Sequence, residues 1–150
     1  ELGYNYRMSN LLAAVGRGQL AVLDKRVKSK QEIFNRYVSV LGDIKGIEFM
    51  PMASYGISNC WLTTLTIDEE ITGFNRDFII AMLEKENIES RPVWKPMHLQ
   101  PLYKEYEYYA SEVGDISQRL FSNGLCLPSG SSLSKKDQDK IIDIILSINS

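Results

Sequence analysis

The sequence predicts an α/β domain in which a long N-terminal helix precedes a small, mostly antiparallel sheet covered by helices on one side. Three observations carry that expectation. Residues 9–41 place apolar side chains at steps of three and four, residues 60–67 (CWLTTLTI) are dense in β-branched and aromatic side chains, and the last stretch repeats isoleucine along one helical stripe.

The long helix has Ser9 as its N-cap and Leu12, Val15, Gln19, Leu20, Leu23, Val27, Phe34, Val38 and Leu41 on its apolar side. About 30 helical residues would extend ~45 Å, more than a domain of this size can cover, so the first half is expected to pack on something outside the chain and to drive self-association. Gly16 and Gly18 inside it each cost about 1 kcal/mol relative to alanine, which fits a place where another backbone approaches. Gly42 and Gly46 end the helix. Residues 47–49 form a short strand, 60–67 the main strand, and 74–86 an amphipathic helix with Phe78, Ile79, Met82 and Leu83 on one face. A short strand is expected at 88–91, because Pro92 and Pro96 break any continuation of it. Residues 92–109 (PVWKPMHLQPLYKEYEYY) read as a structured aromatic loop, 113–122 as a helix, 124–127 as a strand and Pro128-Ser129-Gly130 as a turn. The last helix opens on Ser134 and Asp137 in a capping-box-like spacing and carries Ile141, Ile142, Ile144, Ile145 and Ile148. Residues 1–41 are therefore an interdomain or dimer-contact segment, and 42–150 a small domain.

Composition removes several function classes. The 150 residues carry 17 basic and 19 acidic side chains, interspersed, for a net charge of -2, so no nucleic-acid partner is expected. No apolar run approaches the ~20 residues that span a bilayer, so no membrane role is expected. Cys60 and Cys126 each sit in an apolar run, as buried thiols of a reducing cytoplasm do, and with a single histidine they offer no zinc spacing. Glu1 is not a natural start, which suggests a chain that begins inside a longer protein.

Two places hold candidate chemistry. His98, the only histidine, shares seven residues with Arg91, Trp94 and Lys95, and an Arg, a Lys and a His beside aromatic rings suit an anionic, ring-bearing ligand. Asn5 and Arg7 precede the long helix, where free backbone N–H groups favour an anion. Gly16-Arg17-Gly18 follows no strand and is no dinucleotide fingerprint. Glu69-Glu70 reads as a solvated turn, Ser129 lacks a histidine or acid partner, and Lys135-Lys136 reads as a solvated first turn.

Three segments together resemble the DegT/DnrJ/StrS-type sugar aminotransferases, fold-type I pyridoxal-phosphate enzymes. They are Gly3 to Asn10 (GYNYRMSN) with Ala13-Ala14 and Gln19-Leu20, Ser90 to Tyr103 (SRPVWKPMHLQPLY), and Gly124 to Gly130 (GLCLPSG), in the family's order and across essentially the whole chain. The resemblance implies a small C-terminal domain of a cytoplasmic homodimer that moves an amino group from glutamate to a nucleotide-linked keto sugar. The RPxWKPMH version implies surface-glycan synthesis on a UDP-linked 4-keto-6-deoxy sugar. It further implies that Asn5 reaches across the dimer to the pyridoxal 5'-phosphate of the partner subunit, and that Arg7, Arg91, Trp94, Lys95 and His98 border the nucleotide sugar.

One departure qualifies the resemblance. The family's Schiff-base lysine and its ring-nitrogen aspartate belong to a large domain upstream of this segment, and none of the ten lysines here follows the family's serine- and glycine-rich lysine segment. Without that amine the chain by itself is expected to be inactive. The alternative is a non-catalytic binding or assembly module of the same ancestry, or an unrelated α/β domain whose Arg-Trp-His loop binds a nucleotide or a protein.

Overall fold

A computed structural model describes residues 3–148. Helices α1 (Asn10–Leu20) and α2 (Leu23–Leu41) lead into strands β1 (Ile47–Phe49) and β2 (Thr63–Ile67), then a single-turn helix α3 (Glu69–Thr72) and α4 (Arg76–Lys85). After β3 (Arg91–Pro92) come two 3-10 turns, followed by α5 (Ile116–Asn123), β4 (Gly124–Leu127) and α6 (Lys135–Ile148). The four strands form one sheet in the order β1-β2-β4-β3, with every pairing antiparallel.

Register sorts the two faces. Ile47 pairs Ile67, Phe49 pairs Leu65, and Leu65 and Thr63 pair Leu125 and Leu127. Paired residues share a face, and this one packs on Ile33, Tyr37 and Leu41 of α2, Ile79 and Leu83 of α4, and Ile141, Ile142 and Ile145 of α6. Thr64, Cys126 and Arg91 share the other face. There α5 closes part of the surface, where Arg119, Leu120 and Asn123 meet Glu48 and Thr66 in one cleft. Both cysteines are free and buried.

The predicted long helix is two helices. Ala21 N–H still closes an α-helical turn on Arg17 O, but Val22 N–H reaches Gln19 O in a tightened turn, and Val22 takes φ -116°, ψ 6° before α2 restarts. A periodicity argument cannot see this break, since the apolar spacing survives a tightened turn. Side chains of α1 are unburied throughout, with Leu11, Leu12, Val15 and Leu20 exposed. Apart from its own helix backbone, nothing among the described residues lies within 4 Å of a Cβ placed on Gly16 or Gly18. By contrast α2 belongs to the body, burying Ile33, Phe34, Tyr37 and Leu41.

Smaller differences have local causes. The main strand starts at Thr63 rather than residue 60 because Cys60 adopts φ 48° and the Ser58 and Asn59 side chains accept the N–H groups of Cys60 and Trp61, forming a turn. Glu69-Glu70 is the first turn of α3, capped by Asp68, not an open turn. The 88–91 strand shifts to Arg91–Pro92, where proline is tolerated because β3 is an edge. Helix α4 starts at Arg76, behind the Asn75 cap, and α5 starts at Ile116, behind the Asp115 cap. Gly124 lets the next segment seat: a Cβ there would lie 2.2 Å from Leu120 O and 2.4 Å from Val93 Cγ2.

This division predicts unequal sensitivity. In dilute monomeric chain, Ile145→Ala should lower urea-unfolding stability by about 2–5 kcal/mol, whereas Leu12→Ala on α1 should change it by less than about 0.5 kcal/mol. Equal losses would contradict an α1 that stands off the body.

Candidate functional site

The residues singled out by sequence fall into two separate groups. In the N-terminal arm, Asn5 Oδ1 accepts the N–H of Arg7 at 3.0 Å, and Ser9 Oγ accepts that of Leu12 at 3.3 Å as the cap of α1. The turn occupies the carbonyl oxygen of Asn5 and leaves its amide NH2 and the Arg7 guanidinium exposed beside a helix N-terminus. A donor set of that kind suits a phosphate. No hydrogen bond or ion pair links Asn5 or Arg7 to the 91–98 segment among the described residues.

The second group is a wall at the end of the sheet. Strand β3 holds Arg91 opposite Cys126, and Val93 N–H donates to Gly124 O at 3.1 Å. The chain then leaves the sheet and presents Trp94, whose indole stacks on Trp61 with centroids 6.0 Å apart and planes 30° apart. Both indoles are more than half exposed. Lys30 of α2 braces this pair from below: its Nζ donates to Trp61 O and to Ser129 O, both at 2.9 Å. Lys30, Trp61, Ser90, Arg91 and Ser129 border a shallow cleft of about 240 Å³, and Ser90 Oγ is buried without a partner. Arg91 is exposed, with Nε and Nη2 both resting on Glu89 Oε1 at 2.7 and 2.5 Å. That contact occupies one edge of the guanidinium. Lys95 is exposed beside Trp94.

His98 is placed differently. Its Nε2 stands 2.6 Å from Asp115 Oδ2, a close polar contact outside aligned hydrogen-bond geometry, and its ring lies flat on Tyr108 with centroids 3.6 Å apart. Asp115 Oδ1 also accepts Gln118 N–H and the hydroxyls of Ser117 and Tyr108. Partial burial pushes the Asp115 carboxyl upward, but the Gln118 N–H, the two hydroxyls and His98 outweigh it and bring the pKa down to about 2. Burial pushes the Cys126 thiol up, so that side chain behaves as a hydrophobe.

Sequence reasoning missed Trp61, Lys30 and Asp115. An exposed tryptophan at the mouth of a strand was the available signal for Trp61, and an aspartate one residue before a helix was the signal for Asp115. Nothing local marks Lys30, whose partners lie 31 and 99 residues away.

Comparison with known proteins places this wall in a family. The model of the DegT/DnrJ/EryC1/StrS aminotransferase family matches residues 1–146. The chain belongs to that family. A putative pyridoxal phosphate-dependent aminotransferase EpsN of Bacillus subtilis is 46% identical over 97% of the chain, and a GDP-perosamine synthase of Vibrio cholerae is 35% identical over 96%. The chain spans 37% and 38% of those proteins' lengths. Among solved structures, a family aminotransferase from Brucella abortus superposes with a TM-score of 0.80 at 31% identity, covering 96% of this chain and 36% of that one. DesI, solved with its TDP-sugar product, gives 0.84 at 25% identity over 98% of this chain and 37% of its own. The expected architecture, a small α/β part of a pyridoxal-phosphate aminotransferase fold, is the one observed.

The Asp115 cluster yields a pH prediction. A carboxyl lowered from ~3.9 to about 2 contributes stability that is complete above the unfolded value and is lost as pH falls through about 2. A 13C carboxyl titration should therefore show Asp115 ionised at pH 3, and a midpoint near 4 would contradict the cluster.

Proposed function

We propose that this chain is the substrate-facing C-terminal part of a homodimeric, cytoplasmic aminotransferase that moves an amino group from glutamate to a nucleotide-linked keto sugar. The observation that carries the reading is the exposed Trp61–Trp94 pair with Arg91, Lys95 and Lys30 around it, in a chain of this family. Stacked indoles offer a flat apolar face to a base or sugar, and guanidinium and ammonium groups neutralise a diphosphate. Relatives named for GDP- and UDP-linked amino sugars support the nucleotide-sugar class. Within it we favour a UDP-linked 4-keto-6-deoxy sugar used in surface-glycan or lipopolysaccharide synthesis.

Each residue has a separate task. Arg91, released from Glu89, pairs with the diphosphate, Trp94 and Trp61 hold the planar end, and Lys95 adds positive charge at the rim. Asn5 donates its free amide NH2 to the pyridoxal 5'-phosphate of the other subunit, with Arg7 beside it. Pyridoxal phosphate, when bound, supplies the electron sink through which an amino group passes between carbons. The donors of the arm fit its phosphate. The lysine required for covalent chemistry is a different matter: Lys30 is engaged by two carbonyls and Lys95 stands in the open.

The test uses the longer protein that carries this chain. It should bind pyridoxal phosphate and form an amino sugar from glutamate and a UDP-4-keto sugar. Arg91→Ala should raise KM for the nucleotide sugar roughly 10- to 100-fold, the equivalent of one lost charged contact. Asn5→Ala should weaken cofactor binding. A protein that binds no cofactor would overturn the reading in favour of a binding or assembly module.

A further inference from the structure

Residues 93–115 are the longest stretch without α-helix or strand among the described residues, with two single-turn 3-10 helices, Met97–Leu99 and Pro101–Tyr103, that bury no residue. Yet this segment displays Trp94 and Lys95. A loop of this length loses substantial conformational entropy on ordering, on the order of 1–2 kcal/mol per residue for the backbone, unless particular contacts tie it down. Its near end is tied to the sheet by Val93 N–H on Gly124 O. Its far end meets α5 at Asp115.

His98 joins the two. One carboxylate oxygen of Asp115 is saturated by Gln118 N–H at 2.8 Å, Ser117 Oγ at 2.8 Å and Tyr108 OH at 3.0 Å, and the other faces His98 Nε2 at 2.6 Å. Tyr108 covers a face of the imidazole within 12° of parallel. The His98 side chain keeps 15% of its surface and that of Asp115 19%, little area for a ligand to touch. The geometry points to Asp115 as a positioning residue that holds the substrate loop in one conformation through His98, so that His98 acts from behind the wall and does not contact the nucleotide sugar. This rests on the substrate reading above. The loop is thereby pre-organised: Trp94 already stands against Trp61, which borders the cleft, with Lys95 exposed next to it in sequence, and binding does not have to order them.

Two conservative variants and their combination test this. Asp115→Asn removes the charge but keeps an oxygen for Gln118 N–H, so the α5 cap survives. His98→Phe keeps the stack on Tyr108 and loses the polar contact. In the longer aminotransferase each should raise KM for the nucleotide sugar about fivefold and leave KM for glutamate in place, and the double variant should be no worse than a single one. In the chain alone, chymotrypsin should cut at Tyr103 to Tyr109 several-fold faster in both variants. A larger loss for His98→Phe with Asp115→Asn silent, or losses that multiply in the double variant, would mean direct substrate contact by His98 and would overturn the inference. Unchanged proteolysis would overturn it as well. If the wild-type enzyme transfers no amine, the substrate reading fails, while proteolysis still decides whether Asp115 and His98 hold the loop.

Discussion

Helix α2 is the member on which the rest of the structure depends. Its inner face supplies Ile33, Tyr37 and Leu41 to the core, and its polar side chains reach the loop that leads into β2 and the loop that follows β4. Gln31 donates to Ser58 O, Lys30 to Trp61 O and Ser129 O, and the buried Tyr37 hydroxyl to Pro128 O. Ser29 and Arg26 reach Ser131, Arg36 pairs with Asp139 of α6, and Gln138 of α6 returns a bond to Ile33 O. Loop carbonyls, most of them partly buried, are thus given donors from one helix, which fixes the loops relative to the core. Since Trp61 and Ser129 border the cleft, the same bonds connect packing to function.

Away from α2 the organisation changes. Helix α1 and the arm before it present Tyr4, Tyr6, Met8, Leu11, Leu12, Val15 and Leu20 to solvent, an apolar concentration that calls for a covering surface. In the proposed longer, dimeric aminotransferase, the rest of the protein or a second subunit would offer such a surface. The arm carries the proposed phosphate donors and the loop carries the aromatic wall, with no hydrogen bond or ion pair between them among the described residues. Assembly would have to bring them together, consistent with a site shared between subunits.

Much of this was legible in the sequence, for identifiable reasons. Strand β4 and helix α6 stand where composition placed them, because a three-residue apolar run between a glycine and a proline has few alternatives, and a serine-capped isoleucine stripe has one face to bury. The break at Ala21-Val22 was hidden because both halves keep one apolar period. The turn at Ser58 to Trp61 was hidden because its side-chain bonds to backbone leave no hydropathy signal. At the site, the cluster Arg91, Trp94, Lys95 and His98 was visible as residue types, but not its division of labour. What distinguishes His98 from its neighbours is an aspartate 17 positions later, a relation that only the folded loop creates.

The central claim is that bonds from α2 set the loops that form the wall. Amide hydrogen exchange of the chain carrying Lys30→Met tests it most directly, because the substitution keeps the length of the side chain and removes both donors at once. Exchange should accelerate at residues 58–62 and 129–131 while β2 and β4 remain protected. Protection of those loops equal to that of the wild-type chain would contradict the claim and leave α2 as a core helix with no hold on the site.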